Sequence, residues 1–468
     1  MRVDRRLAAL LWAVLCAWAG SGASAQPAPL AADALELASP AAVAEWWDRE
    51  HRDLPAPPLL TPALVEAELK RLAGGVPGLF LLERIGESVE GRPLYHLQVG
   101  RGPVHVLLWS QMHGDEPTAT RALLDLAALV ERQRATAPVA RLLDALTLHI
   151  VPMLNPDGAE RYQRRNAQSI DVNRDALLLQ TPEARALKAL RDRTDPLLGF
   201  NLHNQGARTS VGTPPRPASI SLLSVAFDEL GTENEGRRLT KRVCAVIRDA
   251  LDGIAEGRVG RYSEEFELRA MGDNLTRWGT SVVLIETGAW PGPDADTVLV
   301  RLNFVALVTA LDAIASGRVH LADPARYDSL PVNDDRLLHT IVRGATIVPG
   351  TGVAPFFGDV GIGASRIVRT VDGQRTLGLA ARIEDVGDLR TLGALETIDG
   401  RGLTLTPAFD PGVRDGDTVT LPDWKAAPAG SVIAVGQPAA LFLLRPAPDA
   451  GRYLVVRVVR VGDSAVAR

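Results

Sequence analysis

Cysteine is nearly missing from this chain: among 468 residues there are two, Cys16 and Cys244. Cys16 lies in the opening segment "MRVDRRLAALLWAVLCAWAGSGASAQ", which has a basic head, an apolar centre too short to span a bilayer comfortably, and the small-residue pattern Ala23-Ser24-Ala25. This reads as a signal peptide over residues 1–25, with an uncleaved membrane anchor as the competing reading. Export to the periplasm or out of the cell is therefore expected. Cys244 is then left alone, no internal disulfide can form, and the exported fold must rest on its core. Within the apolar run "RVCAVIRDAL", Cys244 reads as a small buried residue rather than a nucleophile.

An excess of basic charge is also lacking. The formal net charge is −5, and loss of the leader would remove Arg2, Arg5 and Arg6, leaving the chain more acidic. That argues against nucleic acid as a partner, and against a membrane once the signal is cleaved. Tandem repeats are absent. Histidine is scarce as well, with 8 in the chain, so each one near a carboxylate merits a reason.

What is present is ordinary globular material, 46% hydrophobic and 23% charged, enough for one large domain or two to three smaller ones. Residues 26–75 form an N-terminal extension: an Ala/Pro-rich linker ending in "RDLPAPPLLTP", where tandem prolines break regular structure, then a helix from about Pro62 to Ala73 with Thr61 as N-cap. From residue 76 to 317, short apolar runs ("VHVLLW", "LTLHIVPML", "LLGFNLH", "SVVLIE") alternate with amphipathic segments such as "TATRALLDLAALVERQR". Strands apolar throughout must be covered on both faces, so the expected fold is α/β: a mixed, mainly parallel sheet with helices on both sides. Residues 330–468 turn to Gly-, Val- and Thr-rich short strands, an all-β domain.

Chemistry concentrates where apolar strands end. After "VHVLLW" comes "SQMHGDEPTAT", with His113 and Glu116 at a strand-to-helix turn; "LLGFNLH" delivers His203 and "SVVLIE" delivers Glu286 to strand ends. A single His-x-x-Glu is a weak signal. Two histidines and one carboxylate, however, are the donor set of an open zinc site, and in open α/β sheets ligands bind at the carboxyl ends of the strands. Between them runs the polar loop "NPDGAERYQRRNAQSIDVNRD". His105 and His149 lie inside strands and read as core histidines, whereas His51, His96, His320 and His339 default to the surface.

Taken in order, "IGESVEGRPLYHLQVG", "HGDE", "NPDG", "RRNAQSIDVNRD", "NLH" and "LIETG" resemble the zinc carboxypeptidase family, the carboxypeptidase A/B-like metallocarboxypeptidases. The resemblance covers about half of the chain. It implies one zinc ion per chain held by His113, Glu116 and His203, with Asp171 orienting His113. It further implies Arg164 as oxyanion stabiliser, Asn173 and Arg174 as the grip on a substrate's terminal carboxylate, Glu286 as general base, and Tyr262 as the tyrosine that closes over substrate. The implied activity is hydrolysis of the C-terminal bond of a peptide or peptide-like substrate bearing a free carboxylate. An amidase or deacylase acting on cell-wall peptides or acylated amino acids, and an inactive carboxylate-binding protein, are the alternatives. The loop between Glu116 and His203 is shorter than in the digestive members, so the side-chain pocket stays unread. The C-terminal part, from "IVRGATIVPGTGVAPFFGDVGI" to "AGSVIAVGQPAALFLLRPAP", resembles the β-sandwich of amidohydrolase-superfamily enzymes with the catalytic barrel missing.

Overall fold

The computed structural model describes residues 35–462 apart from 264, 351, 373 and 425–431; the expected signal peptide, residues 1–25, lies outside them. The chain divides into two compact units: Met1–Gln205, Ala218–Gly288 and Asp294–Asn333 form the larger, and Gly206–Pro217, Ala289–Pro293 and Asp334–Arg468 the smaller.

In chain order the strands begin with β1 (Phe80–Glu87), β2 (Pro93–Gly100), β3 (Val104–Ser110), β4 (Leu146–Val151) and β5 (Leu198–Asn204). A short hairpin follows, β6 (Ser210–Val211) with β7 (Arg216–Pro217), which belongs to the smaller unit. Then come β8 (Ile220–Ser224), β9 (Val259–Arg261) and β10 (Ser281–Thr287). The larger unit is built on an eight-stranded sheet in the order β1-β2-β4-β3-β5-β10-β8-β9. Its centre, β4-β3-β5-β10, is parallel, as is β8 with β9, while β1 with β2, β2 with β4, and β10 with β8 pair antiparallel.

Burial on both faces explains the uninterrupted apolar runs. Leu107, Trp109, Val151 and Leu284 pack with Leu187 and Leu190 of helix Pro182–Thr194 and with Met271 and Leu275 of helix Met271–Arg277. The alternate residues Val106, Leu108, Phe200, Leu202, Val283 and Ile285 are as deeply buried. Helix Ala295–Ala315 packs against helices Thr118–Gln133 and Glu235–Asp252, and these two lie against the sheet, the first on β5 and the second on β8 and β10. At about 1.5–3 kcal/mol for each fully buried large apolar side chain, a polar residue on either face of these strands would need a partner. Helix Ala295–Ala315 is apolar and long enough to cross a membrane, but 83% of its most apolar window is buried in the protein, the property of a core helix.

The N-terminal extension is more ordered than its prolines suggest. Helix Pro62–Gly75 starts as its sequence indicates, with Thr61 Oγ1 accepting from Leu64 N at 3.2 Å. Upstream, where a linker without regular structure is expected, the chain forms a further helix, Pro40–Glu50. Pro40 occupies the first turn, where no N–H is needed, and Ser39 Oγ accepts from Ala42 N. This helix buries Trp46 and Trp47; the first stacks on Phe304 at 5.7 Å and the second donates its indole N–H to Asp125 Oδ2 at 2.9 Å.

The smaller unit is all-β among its described residues. It adds β11 (Leu337–Ile347), β12 (Phe356–Val371), β13 (Gln374–Gly387), β14 (Gly393–Asp399), β15 (Thr404–Pro407), β16 (Thr418–Thr420), β17 (Ala440–Pro446) and β18 (Arg452–Arg460). They pair in the order β13-β12-β11-β15-β17-β18-β16, with β14 also on β11. Successive residues of β17 enter different cores, Leu441 and Leu443 one, Phe442 and Leu444 the other, so this strand is covered on both faces.

Candidate functional site

Because β3, β5 and β10 are parallel neighbours, their carboxyl ends reach the same edge of the sheet. Beyond β3 the chain turns at Gln111, whose backbone takes a left-handed φ of 52° and whose side-chain amide donates to Gly114 O at 2.9 Å. That turn presents His113 and Glu116. His203 is the last residue but one of β5, and the β5/β10 register sets Glu286 directly opposite it.

The three candidate ligands converge. His113, Glu116 and His203 each offer one donor atom, all within 4.8 Å of one another, and all three residues are buried. Glu116 lies between the two rings, with Oε1 2.8 Å from His113 Nδ1 and Oε2 2.7 Å from His203 Nδ1. The two Nδ1 atoms are 3.2 Å apart. His113 turns its other nitrogen, Nε2, to Asp171 Oδ1 at 3.0 Å, the outer hydrogen bond that commonly fixes a metal-binding imidazole.

Burial holds the His203 imidazole below its usual range. Burial works against a charged His113, yet the carboxylates of Glu116 and Asp171 bring it up to about 9. Burial likewise pushes Glu116 and Asp171 upward, but the histidines beside Glu116, and His113 with Arg164 beside Asp171, hold both well below the usual carboxylate range. Two imidazole nitrogens with one carboxylate are the donor set of catalytic zinc. These residues therefore fit a metal ion.

Glu286 is in the opposite condition. Burial first, and then the negative charge of Glu116, push its carboxyl well above the ordinary value. Its Oε2 and the Nε2 of His203 are buried without a hydrogen-bond partner among the described residues. A carboxyl so poised, beside the ligand cluster, suits proton transfer.

The remaining candidates surround this centre. Arg164 donates from Nε to Asp171 Oδ2 at 3.0 Å and from Nη1 to Glu116 Oε1 at 3.3 Å, while much of its side chain stays exposed. Asn173 accepts at Oδ1 from Met271 N at 2.9 Å. Arg174 donates from Nη1 to Asn173 O at 2.8 Å and faces Glu267 across 3.3 Å. Tyr262 packs against the core cluster that contains Met271 and Leu284. Its phenol is pushed up to about 12, first by burial and then by the charges of Glu286 and Glu116.

The sequence reading missed three features. Glu267 faces Arg174, and nothing in its surroundings in the sequence marks it. Asn155 bridges two loops of the site. His96, expected at the surface, is only 1% exposed and joins a buried row in which its Nε2 meets His149 Nδ1 at 3.0 Å and His149 Nε2 meets His105 Nδ1 at 3.0 Å. β2 is paired on both sides, with β1 and β4, and no pattern within its own residues announces that His96 is covered.

Residues 65–206 match the family model described as zinc carboxypeptidase. Carboxypeptidase M of Mus musculus is 32% identical over 163 residues, covering 30% of this chain and 37% of that protein. Carboxypeptidase D of Mus musculus is 32% identical over 217 residues, covering 36% of this chain and 16% of that protein. The chain thus spans well under two thirds of these relatives' length. Among solved structures, a metallo-carboxypeptidase from Burkholderia cenocepacia aligns at 18% identity and a TM-score of 0.43, over 55% of this chain and 68% of its own. One from Pseudomonas aeruginosa, in complex with (2-guanidinoethylmercapto)succinic acid, aligns at 21% identity and a TM-score of 0.43, over 54% and 69%. The matched segment contains His113, Glu116, Arg164, Asp171 and His203 and stops short of Glu286. Ordered motifs, a converged donor set and the family match agree: residues 65–206 match the zinc carboxypeptidase family.

Proposed function

We propose that this protein is a zinc-dependent metallocarboxypeptidase that hydrolyses the C-terminal bond of peptides or peptide-like substrates with a free carboxylate. The observation that carries this reading is the register between β5 and β10, which sets Glu286, whose Oε2 has no hydrogen-bond partner among the described residues, opposite His203 of the three-donor cluster.

Held by His113, Glu116 and His203, a zinc ion would lower the pKa of water and polarise the scissile carbonyl. Glu286 then acts as general base, taking a proton from the attacking water and delivering it to the leaving nitrogen. Arg164, oriented by Asp171, offers its guanidinium N–H groups to the oxygen that gains charge. Arg174 and Asn173 bind the substrate's terminal carboxylate, for which a planar two-pronged donor is well shaped. Substrate must displace Glu267 from Arg174, a pair about one third exposed and hence weakly held. Tyr262 closes one side of the site.

We read residues 1–25 as the signal that exports the protein to the periplasm or beyond, and the smaller unit as an amidohydrolase-like β domain without catalysis. Among the described residues, the only metal-sized cluster of His, Cys, Asp or Glu is the one in the larger unit.

The test offers the purified, zinc-loaded protein a set of free-acid peptides, their C-terminally amidated twins and a murein peptide, with products followed by mass spectrometry. Stepwise loss of single C-terminal residues from the free acids, with the amides spared, is the expected result. Release from the murein peptide alone would favour the cell-wall amidase, and cleavage indifferent to the terminal carboxylate would refute the carboxypeptidase reading.

A further inference from the structure

We infer that Asn155, the first residue of the "NPDG" motif, is a positioning residue that sets the spacing between the His113 turn and Arg164. The inference rests on the carboxypeptidase reading for its kinetic consequence, though not for its geometry.

Asn155 is fully buried and caps helix Pro156–Arg161, its Oδ1 accepting from Gly158 N at 2.9 Å. Capping uses only one end of the amide. The other end, Nδ2, donates to Met112 O at 3.2 Å and to Arg164 O at 3.3 Å. One carbonyl belongs to the residue before His113 and the other to Arg164 itself. The side chain thus joins the backbone of the ligand-bearing turn to the backbone of the arginine arm, and its own N–H donates to Gln111 O at 2.9 Å.

A second observation points the same way. Gly114 N approaches Arg164 O at 3.4 Å, and a Cβ built on Gly114 would lie 2.0 Å from the carbonyl carbon of Gly158. Turn and helix start therefore touch backbone to backbone, and Asn155 spans this contact. Arg164 needs such an anchor. Its guanidinium is tied to Asp171 and Glu116, but its side chain is 43% exposed, so its reach is set by where its main chain is fixed. Every hydrogen-bonding atom of the Asn155 side chain is engaged, and a change that removes Nδ2 alone isolates the bridge from the cap.

Asn155→Ser does this, its hydroxyl keeping an acceptor for Gly158 N but being too short to reach the two carbonyls; Asn155→Asp, which sets a carboxyl oxygen against Met112 O and Arg164 O, serves as a second, more disruptive variant. With zinc content and melting temperature close to the parent, kcat of Asn155→Ser should fall about 10²-fold, the scale of a displacement near 1 Å, while KM moves less than about threefold. In an Arg164→Ala background the same substitution should cost less than about threefold, because its effect runs through Arg164. A role confined to structure would instead give the same loss in both backgrounds, and that outcome overturns the inference. Independently of turnover, the Arg164 Nε–H resonance of the zinc-loaded, nitrogen-labelled protein should shift and broaden in Asn155→Ser. An unchanged resonance would also overturn it. If the parent protein cleaves no peptide, the functional reading falls while this spectrum still decides the role of Asn155.

Discussion

Replacing Glu286 by glutamine separates the chemistry of this site from its construction. The side chain is 8% exposed, with His203 opposite on β5 and Ser221 opposite on β8, and its Oε2 has no hydrogen-bond partner among the described residues. An amide of the same shape therefore leaves no partner stranded there and opens no cavity. Stability should stay within about 1 kcal/mol of the parent, a change of roughly 2–4 °C in melting temperature for a domain of this size. Glu286 is not one of the three converging donors, so zinc content should remain near one equivalent. Loss of the general base, by contrast, removes about 10²–10⁴-fold from turnover, or about 3–5 kcal/mol of transition-state stabilisation. The assay is kcat on a free-acid peptide, with zinc measured on the same sample. A variant that keeps full zinc and more than about a tenth of parental kcat would refute the assignment of Glu286 as base.

Asp171→Asn should weaken zinc about 10–100-fold in a chelator competition, because the Asp171 carboxylate no longer orients His113; unchanged affinity would detach Asp171 from the metal. Arg174→Ala should lower kcat/KM for free-acid peptides about 10²-fold with zinc content unchanged, and a loss of less than about threefold would count against a carboxylate grip. The histidine row predicts acid sensitivity. Burial, then His96 and His105, lower His149 to about 3, below its unfolded value near 6.5, so the unfolded chain gains protons first as pH falls. Stability is thus complete above pH 6.5 and lost progressively down to about 3. Between pH 6.5 and 4 the loss is about 3 kcal/mol from this residue, and urea unfolding of His149→Gln should show a correspondingly shallower decline.

The parts of the fold that could be read from sequence are those where one physical demand acts alone. Runs such as "LTLHIV" are buried at every residue because the sheet is covered on both faces, and the parallel strands then had to end together, bringing His113, His203 and Glu286 to one edge. Where two demands compete, sequence misled. Pro40 resembles a breaker, yet in the first turn it costs no hydrogen bond and starts a helix that buries two tryptophans. His96 looks like a surface residue until β2 is known to be flanked by β1 and β4, after which three imidazoles can satisfy one another. The bridge made by Asn155 joins residues up to 43 positions apart, and no local pattern encodes it. Residues 206–217 follow β5 by sequence but fold within the smaller unit, a partition invisible to periodicity.

Zinc stoichiometry tests the central claim most directly. The full chain, stripped of metal and titrated with zinc against a chromophoric chelator, should bind one equivalent tightly, and His113→Ala, Glu116→Ala and His203→Ala should each abolish that binding. Tight binding that survives loss of all three side chains, or no tight binding by the parent protein, would contradict the account.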